Sequence, residues 1–427
     1  MRVHLRTLGC RLNQSEIEMM ARQFGRAGHD VVDAPEAADR IIVNTCAVTE
    51  DAVRGSRKLV RSLNRANPNA EVIVTGCYAQ IAPDEIAVMP GVSSVVDNLG
   101  KDTLVRDLIG VEPEAFDDEP LARHPAALWG GRTRAFVKVQ DGCDNACTFC
   151  VTTIARGVGR SRSIESVVRE VQMLYQLGYR EAVLTGVHLG SYGHDRGEQD
   201  GLSGLVRALL ADTDMPRLRL SSLEPWDLTP DFFSLWEDAR LCPHLHLPLQ
   251  SGCDATLRRM ARRISQTSFR ALVDAARARI HDPCITSDII VGFPGETDEE
   301  FAESMAFVES IDFAGLHVFR YSKRPGTAAA RLRGHVSETC KKARSERMIA
   351  LGTAGERRYM ERHRGARLPV LWEQIAGVSE AGFHNVGYTS NYIRVRCTHR
   401  RPLTNQITAA TLLDFDAQLQ QMIVVTE

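Results

Sequence analysis

Asp141-Gly142-Cys143-Asp144-Asn145-Ala146-Cys147-Thr148-Phe149-Cys150 places three thiols within eight positions, directly after a β-rich run from Ala135 to Val139. Three thiolates on one loop can wrap a [4Fe-4S] cube and leave one iron open to a small molecule, which then receives an electron directly from the cluster. Zinc is the competing reading, and it usually takes four ligands from paired C-x2-C hooks. Here the first gap is three residues, and no second hook follows at zinc-finger spacing.

Outward from this loop, strands and amphipathic stretches alternate from Thr133 to about Ala330. Strands are expected at Ala135 to Val139, Glu181 to Thr185, Arg217 to Ser222, His244 to Leu249, Ile285 to Val291 and Gly315 to Tyr321. Six such units suggest a partial (β/α)6 barrel with the cysteine loop after its first strand. Sites in barrels are built at the carboxyl ends of the strands, which makes Gly186, Ser222, Glu224, Gln250, Asp288 and Gly292 candidates for cofactor contacts. The glycines would admit close backbone approach, and Ser222 and Glu224 could bond hydroxyl or amino groups. Glu224 precedes Pro225, so a turn role is its alternative, as it is for Gly292 in Gly292-Phe293-Pro294-Gly295-Glu296. His188, His244 and His246 read as hydrogen-bonded packing residues in preference to acid-base catalysts.

Residues 1–100 repeat the alternation on a smaller scale. Strands are expected at Val3 to Leu8, His29 to Val32, Arg40 to Thr45, Glu71 to Thr75 and Ser93 to Val96. Helices are expected over Ser15 to Ala27 and Asp51 to Ala66, with Ser15 and Thr49 as N-caps. This is the pattern of an open parallel α/β sheet. Cys10, Cys46 and Cys77 each directly follow a strand, so the sheet brings all three to its carboxyl edge, where such sheets bind ligands. Buried strand-end cysteines are the alternative for any one of them. Three at equivalent positions point to a second cluster with an open iron. Cys242, Cys253, Cys284, Cys340 and Cys397 show no such pattern and read as structural.

Residues 101–132, broken by Glu112-Pro113-Glu114 and Gly130-Gly131, read as a linker. Residues 133–364 then form the central domain and 365–427 a small β barrel, with short alternating runs such as Tyr392 to Cys397. Arg357 to Arg367 holds five arginines against one glutamate, and Arg394, Arg396, Arg400 and Arg401 add more. Phosphate contacts from these residues, with Tyr388 and Tyr392 stacking on bases, suggest RNA binding; a solvated charged face is the alternative.

The 427 residues, 44% of them apolar, suffice for about three domains at ~150 residues each. The formal net charge of -2 excludes neither nucleic acid nor an acidic partner. The charged start Met1-Arg2-Val3-His4-Leu5-Arg6 lacks the apolar run of a signal peptide, and no stretch approaches the ~20 residues of a membrane span. A soluble, cytoplasmic protein without a membrane partner is expected, in which eleven cysteines suit metal ligation or burial better than disulfides.

The C-x3-C-x-F-C loop, with Phe149 at the aromatic position, resembles the radical S-adenosylmethionine superfamily. With both cysteine triplets in place the chain resembles the methylthiotransferases over nearly its whole length. Thr7-Leu8-Gly9-Cys10-Arg11-Leu12-Asn13-Gln14-Ser15-Glu16, Thr185-Gly186-Val187-His188-Leu189-Gly190-Ser191-Tyr192-Gly193 and His246-Leu247-Pro248-Leu249-Gln250-Ser251-Gly252-Cys253 look most like the branch acting on N6-threonylcarbamoyladenosine in tRNA. Val151-Thr152-Thr153-Ile154 departs from the family, where a proline and an aromatic are common before Ala-Arg-Gly.

The resemblance implies two [4Fe-4S] clusters, S-adenosyl-L-methionine as cofactor, a TRAM-like RNA-binding C-terminal barrel, a reductant protein such as a flavodoxin or ferredoxin, and a sulfur donor. It implies that one S-adenosylmethionine methylates a sulfur at the second cluster, while a second is cleaved at the first to a radical that activates adenine C2. Other implied substrates are isopentenyladenosine in tRNA and an aspartate of a ribosomal protein. A non-catalytic iron-sulfur RNA-binding redox sensor is the alternative of another class.

Overall fold

The computed structural model describes residues 1–110 and 133–426. Its amino-terminal part is a five-stranded, wholly parallel sheet in the order β2-β1-β3-β4-β5, from β1 (Arg2–Thr7), β2 (Asp30–Val31), β3 (Arg40–Thr45), β4 (Glu71–Gly76) and β5 (Val92–Val95). Helices α1 (Arg11–Arg26), α2 (Glu50–Ala66), α3 (Cys77–Ile81) and α4 (Pro83–Ala87) connect its strands. Val3, Leu5, Ile42 and Ile73 pack under α1, while Ile41, Val43, Val72 and Val74 pack towards α2, so alternate side chains of each strand serve opposite cores.

Two sequence expectations change here. Thr49 does cap α2, accepting from Ala52 N at 3.1 Å, but α1 starts at Arg11 with Cys10 as its N-cap residue. Ser15 lies inside that helix, buried, and donates to the Phe136 carbonyl at 2.9 Å. The first residues of the expected linker are structured: Gly100–Thr103 forms a 3-10 turn and Leu104–Ile109 forms α5, whose Leu104 and Val105 fill the core beneath α1. Apolar side chains at 104, 105, 108 and 109 drive this packing. The proline- and glycine-broken residues 111–132 lie outside the described residues.

The central part holds β6 (Arg134–Lys138), the short antiparallel pair β7 (Gln140–Asp141) and β8 (Arg160–Ser161), β9 (Glu181–Thr185), β10 (Arg217–Leu220), β11 (His244–His246), β12 (Cys284–Val291) and β13 (Gly315–Arg320). Strands β6, β9 and β10 form one parallel sheet and β11, β12 and β13 another. Parallel bridges Leu218 to Leu241 and Ser222 to His246 join the two, giving six parallel strands in chain order. Helices α6 (Thr152–Arg156), α7 (Ile164–Gln176), α8 (Gly201–Asp212), α9 (Asp254–Arg259), α10 (Gln266–Arg279) and α11 (Asp298–Ile311) lie between them, with α12 (Glu338–Glu361) after the last. The outer faces of the strands and the inner stripes of the helices make one core, including Val137, Leu184, Leu245, Ile289, Phe269 and Phe301.

The last five strands, β14 (Arg367–Ser379), β15 (Gly382–Thr389), β16 (Arg394–His399), β17 (Ile407–Asp416) and β18 (Gln421–Thr426), close a barrel in the order β14-β15-β16-β18-β17. Trp372 fills it, fully buried among Val395, Leu412 and Met422, and its indole donates to Thr408 Oγ1 at 2.8 Å. Tyr359 and Met360 of α12 share that core, which seats the barrel on the central domain. Among the described residues no helix is long and apolar enough to cross a membrane.

Candidate functional site

Two clusters of thiols and one buried charge network dominate the region between the first sheet and the central strands. All eleven cysteines are free. Cys10, Cys46 and Cys77 stand just past β1, β3 and β4, neighbours in the sheet, and their charges act on one another and on Arg156. Gly9 has φ of +127°, and a Cβ there would lie 2.8 Å from Cys46 Cβ, so only glycine lets the first strand end approach the second this closely. Burial pushes the Cys46 thiol up to about 11, which suits a ligand that loses its proton only to a metal.

Cys143, Cys147 and Cys150 lie half-buried on the loop after β7. Backbone amides point at two of the sulfurs: Asn145 N is 3.4 Å from Cys143 Sγ and Thr152 N is 3.3 Å from Cys150 Sγ. Such donors stabilise thiolate ligands of an iron-sulfur cluster, so the loop fits that group. Arg262 Nη1 is 3.7 Å from Cys147 Sγ, while its Nη2 meets Glu224 Oε2 at 2.7 Å and its guanidinium lies 4.3 Å over the Trp226 ring. Burial pushes the Cys147 thiol up, with Arg262 acting against it. Gly142 has φ of +71°, and a Cβ there would fall 1.9 Å from the Val158 carbonyl oxygen. Gly142→Ala is therefore expected to displace Cys143, cost about 1 kcal/mol or more, and lower iron retention after reconstitution, read by iron analysis and the melting curve.

Between the triads runs the charge network. Arg156, at the end of α6, pairs with Glu16 Oε1 at 2.8 Å and Asp141 Oδ1 at 2.9 Å, and donates to Asn13 Oδ1 at 2.7 Å. Lys101 Nζ reaches Glu16 at 2.7 Å, and Lys138 lies 3.5 Å from Asp102 and 3.8 Å from Asp141. All but Asp102 are buried. Burial alone would protonate Glu16, but Arg156, Lys101 and Lys138 hold its carboxyl well below the usual range. Asn98 ties the same region together, its Nδ2 lying 2.6 Å from the Ala155 carbonyl and 3.9 Å from Cys77 Sγ. A helix that starts beside Cys10 and one that follows Cys150 are thus clamped by the same guanidinium.

The expected cofactor positions fall as follows. Gly186 faces Gln140, whose Oε1 would lie 2.9 Å from an added Cβ and whose Nε2 holds the Gly142 carbonyl at 2.8 Å. Ser222 bridges to His246, and Glu224 is held by Arg262. Gln250 has φ of +75° and is tied to β12 through Asp288 O and Ile290 N at 2.8 Å each. Asp288 accepts from His246 at 3.2 Å and from His317 at 3.1 Å, and although burial opposes its charge these imidazoles hold its carboxyl well below the usual range. Gly292 forms a turn: its N–H goes to Glu296 Oε2 at 2.6 Å, and Lys341 covers its Cα. His188 sits beside Cys143, its ring bonded to Asp227 Oδ2 at 2.5 Å and within 3.2 Å of Asn145 Nδ2, while His244 and His246 share Thr286 Oγ1.

The expected base-stacking tyrosines do not present free faces. Tyr392 stacks on His244 at 4.4 Å and on Tyr388 at 5.0 Å, with Arg134 and Arg219 beside its ring. They pack the barrel against the central strands. The basic segment is also largely neutralised: Arg357 pairs with Glu361, Arg358 with Asp312, Arg362 with Asp282 and Arg364 with Asp414. Sequence reading missed Arg262, Arg156, Lys101 and Arg11, whose partners lie tens to hundreds of residues away.

Residues 2–97 match the model of Uncharacterized protein family UPF0004, and residues 137–308 match the Radical SAM superfamily. The chain is 36% identical over 403 residues to threonylcarbamoyladenosine tRNA methylthiotransferase MtaB of Bacillus subtilis (strain 168), covering 92% of this chain and 89% of that protein. It is 37% identical over 404 residues to the protein of the same name from Thermotoga maritima, with 92% and 90% covered. The tRNA-2-methylthio-N(6)-dimethylallyladenosine synthase of Acidothermus cellulolyticus is 34% identical over 413 residues, with 93% and 83% covered. Among solved structures, the radical S-adenosylmethionine methyltransferase TsrM from Kitasatospora setae, with cobalamin and a [4Fe-4S] cluster bound, has a TM-score of 0.58 at 16% identity, covering 77% of this chain and 76% of that one; this likeness concerns the fold alone.

Proposed function

Because the chain belongs to the tRNA methylthiotransferases of the radical S-adenosylmethionine superfamily, we propose that it replaces the C2 hydrogen of N6-threonylcarbamoyladenosine in tRNA with a methylthio group. The observation that carries this reading is the pair of cysteine triads clamped side by side through Arg156. Adenine C2 has no leaving group and no acidic proton, so polar catalysis alone offers little there. Cys143, Cys147 and Cys150 would hold the [4Fe-4S] cluster that, when bound, would supply the electron for cleaving S-adenosylmethionine. Cys10, Cys46 and Cys77 would hold the second cluster, which would supply the sulfur to be transferred.

The chain's own residues bind and orient. Arg262 counters the charge at Cys147 and fixes Glu224, which with Gly186, Ser222, Gln250 and Asp288 lines the strand ends proposed to hold S-adenosylmethionine; Gly292 shapes the neighbouring turn. We infer three domains: the auxiliary-cluster domain of residues 1–100, extended by α5; a partial (β/α)6 barrel over 133–364 beyond the 101–132 connection; and a TRAM-like RNA-binding barrel over 365–427. The six consecutive parallel strands and the closed five-stranded barrel support this division. Arg394, Arg396, Arg400 and Arg401 remain the proposed phosphate contacts on that barrel. An electron-donor protein such as a flavodoxin or ferredoxin and a sulfur donor complete the proposed partners in the cytoplasm.

An equal mixture of tRNA bearing N6-threonylcarbamoyladenosine and tRNA bearing isopentenyladenosine separates the two named activities of the relatives. With reconstituted protein, reductant, sulfide and S-adenosylmethionine, only the first nucleoside is expected to gain the methylthio group by mass spectrometry. Modification of the isopentenyl nucleoside instead would assign the chain to the other activity.

A further inference from the structure

Arg11, the residue after Cys10, is the first residue of α1, and its guanidinium crosses to the C-terminal barrel, where Nη2 meets the Tyr392 hydroxyl at 3.1 Å. Among the described residues it has no carboxylate partner. The phenol hydroxyl holds the side chain in place and leaves its other N–H donors available.

The nearby carboxylates are already engaged elsewhere. Arg134 pairs with Glu373, and Arg217 and Arg219 share Glu181 at 2.9 and 2.7 Å. Asp288 accepts from His246 and His317, and Glu356 acts on His317. Arg11, Arg134 and Arg219 act together on Tyr392: burial would raise its phenol, yet the three guanidiniums lower it. There is also room. Residues Ile285, Ile289 and Val291 of β12 face the helical layer, whereas Asp288 and Ile290 stand in register with His317 and Phe319 on the opposite, inward face. On that face the His317 side chain is 67% exposed and Phe319 40% exposed. A half-open face with an aromatic ring, two imidazoles and an unpaired arginine suits a base that carries an anionic substituent.

We propose that Arg11 is the specificity-determining residue that binds the carboxylate of the threonylcarbamoyl group, with His317 flanking it and Phe319 against the base. The inference deepens the substrate reading above and rests on it. An isopentenyl substituent has no charge, so an unpaired arginine would gain nothing from it, whereas a planar guanidinium can take a carboxylate through two parallel hydrogen bonds.

The test compares the binding of two anticodon stem-loop RNAs to reconstituted protein: one carrying N6-threonylcarbamoyladenosine and one carrying its methyl ester, which keeps shape and loses charge. Wild-type protein is expected to prefer the acid on the order of tenfold or more, the range of a charge-assisted hydrogen bond. Arg11→Gln should bind both alike, and Arg11→Lys should keep part of the preference, with iron content confirming that Cys10 still ligates in each. A wild-type preference that survives Arg11→Gln would overturn the assignment, as would equal binding of acid and ester by the wild type. Turnover of the acid-bearing RNA, followed separately, reports on the substrate reading: methylthiolation without an acid preference sinks the role of Arg11 alone, and acid preference without methylthiolation sinks the proposed reaction.

Discussion

Arg156→Met will lower the unfolding free energy of the metal-free protein by about 3–5 kcal/mol, the usual cost of removing one partner from a buried ion pair. The magnitude follows from what is left behind. Glu16 and Asp141 would stay buried, with Lys101 at 2.7 Å, Lys138 at 3.8 and 3.9 Å and Arg160 at 4.0 Å left to balance them, and Asn13 Oδ1 would lose its guanidinium donor. Methionine has a similar length and no clash, so the loss reports charge and hydrogen bonds in place of packing. Arg156→Lys should recover part of it, because charge remains while the two-pronged geometry does not. Denaturant unfolding measures the cost, and faster labelling of the buried Cys77 thiol would locate it at the seam between the first two domains. The exposed Arg357–Glu361 pair is the contrast: Arg357→Gln should stay within about 0.5 kcal/mol of wild type.

The second large effect separates the triads by their duties. Cys147→Ala is expected to abolish both 5'-deoxyadenosine formation and the methylthio product, because the thiol touched by Arg262 belongs to the loop proposed to hold the cluster at which S-adenosylmethionine is cleaved. Cys46→Ala is expected to leave 5'-deoxyadenosine formation in place and to abolish the methylthio product. The split depends on the triads being distinct sites on separate strand systems, one past β3 and one past β7. Equal loss of both products in Cys46→Ala, with the iron of the other triad retained, would mean that they do not act separately.

The strand-end cysteines were legible because a parallel sheet converts sequence position into spatial position: a residue just past a strand lies at one edge whatever its number. Periodicity likewise exposed the six central strands and the short strands of the C-terminal barrel. What stayed hidden was set by contacts between distant segments. Glu16 and Arg156 are 140 residues apart, and nothing local marks them as a pair. Ser15 has the chemistry of a cap, but a backbone carbonyl of β6 takes its hydroxyl, and the helix starts four residues earlier. Tyr388 and Tyr392 look like exposed stacking residues on a basic barrel until the central strands arrive to cover them with His244, Arg134 and Arg219. Composition made Arg357 to Arg367 look like an RNA face, whereas the fold supplies Asp282, Asp312 and Asp414 from other elements to neutralise it.

The most direct measurement is a reaction under strictly anaerobic conditions, with reconstituted protein, dithionite, S-adenosylmethionine, sulfide and tRNA carrying N6-threonylcarbamoyladenosine. Digested nucleosides and 5'-deoxyadenosine are read by mass spectrometry from the same sample. A 2-methylthio nucleoside appearing together with 5'-deoxyadenosine is the predicted result. A reducible protein loaded with both clusters that yields no 5'-deoxyadenosine would contradict it at its base, and 5'-deoxyadenosine with an unchanged nucleoside would contradict the substrate.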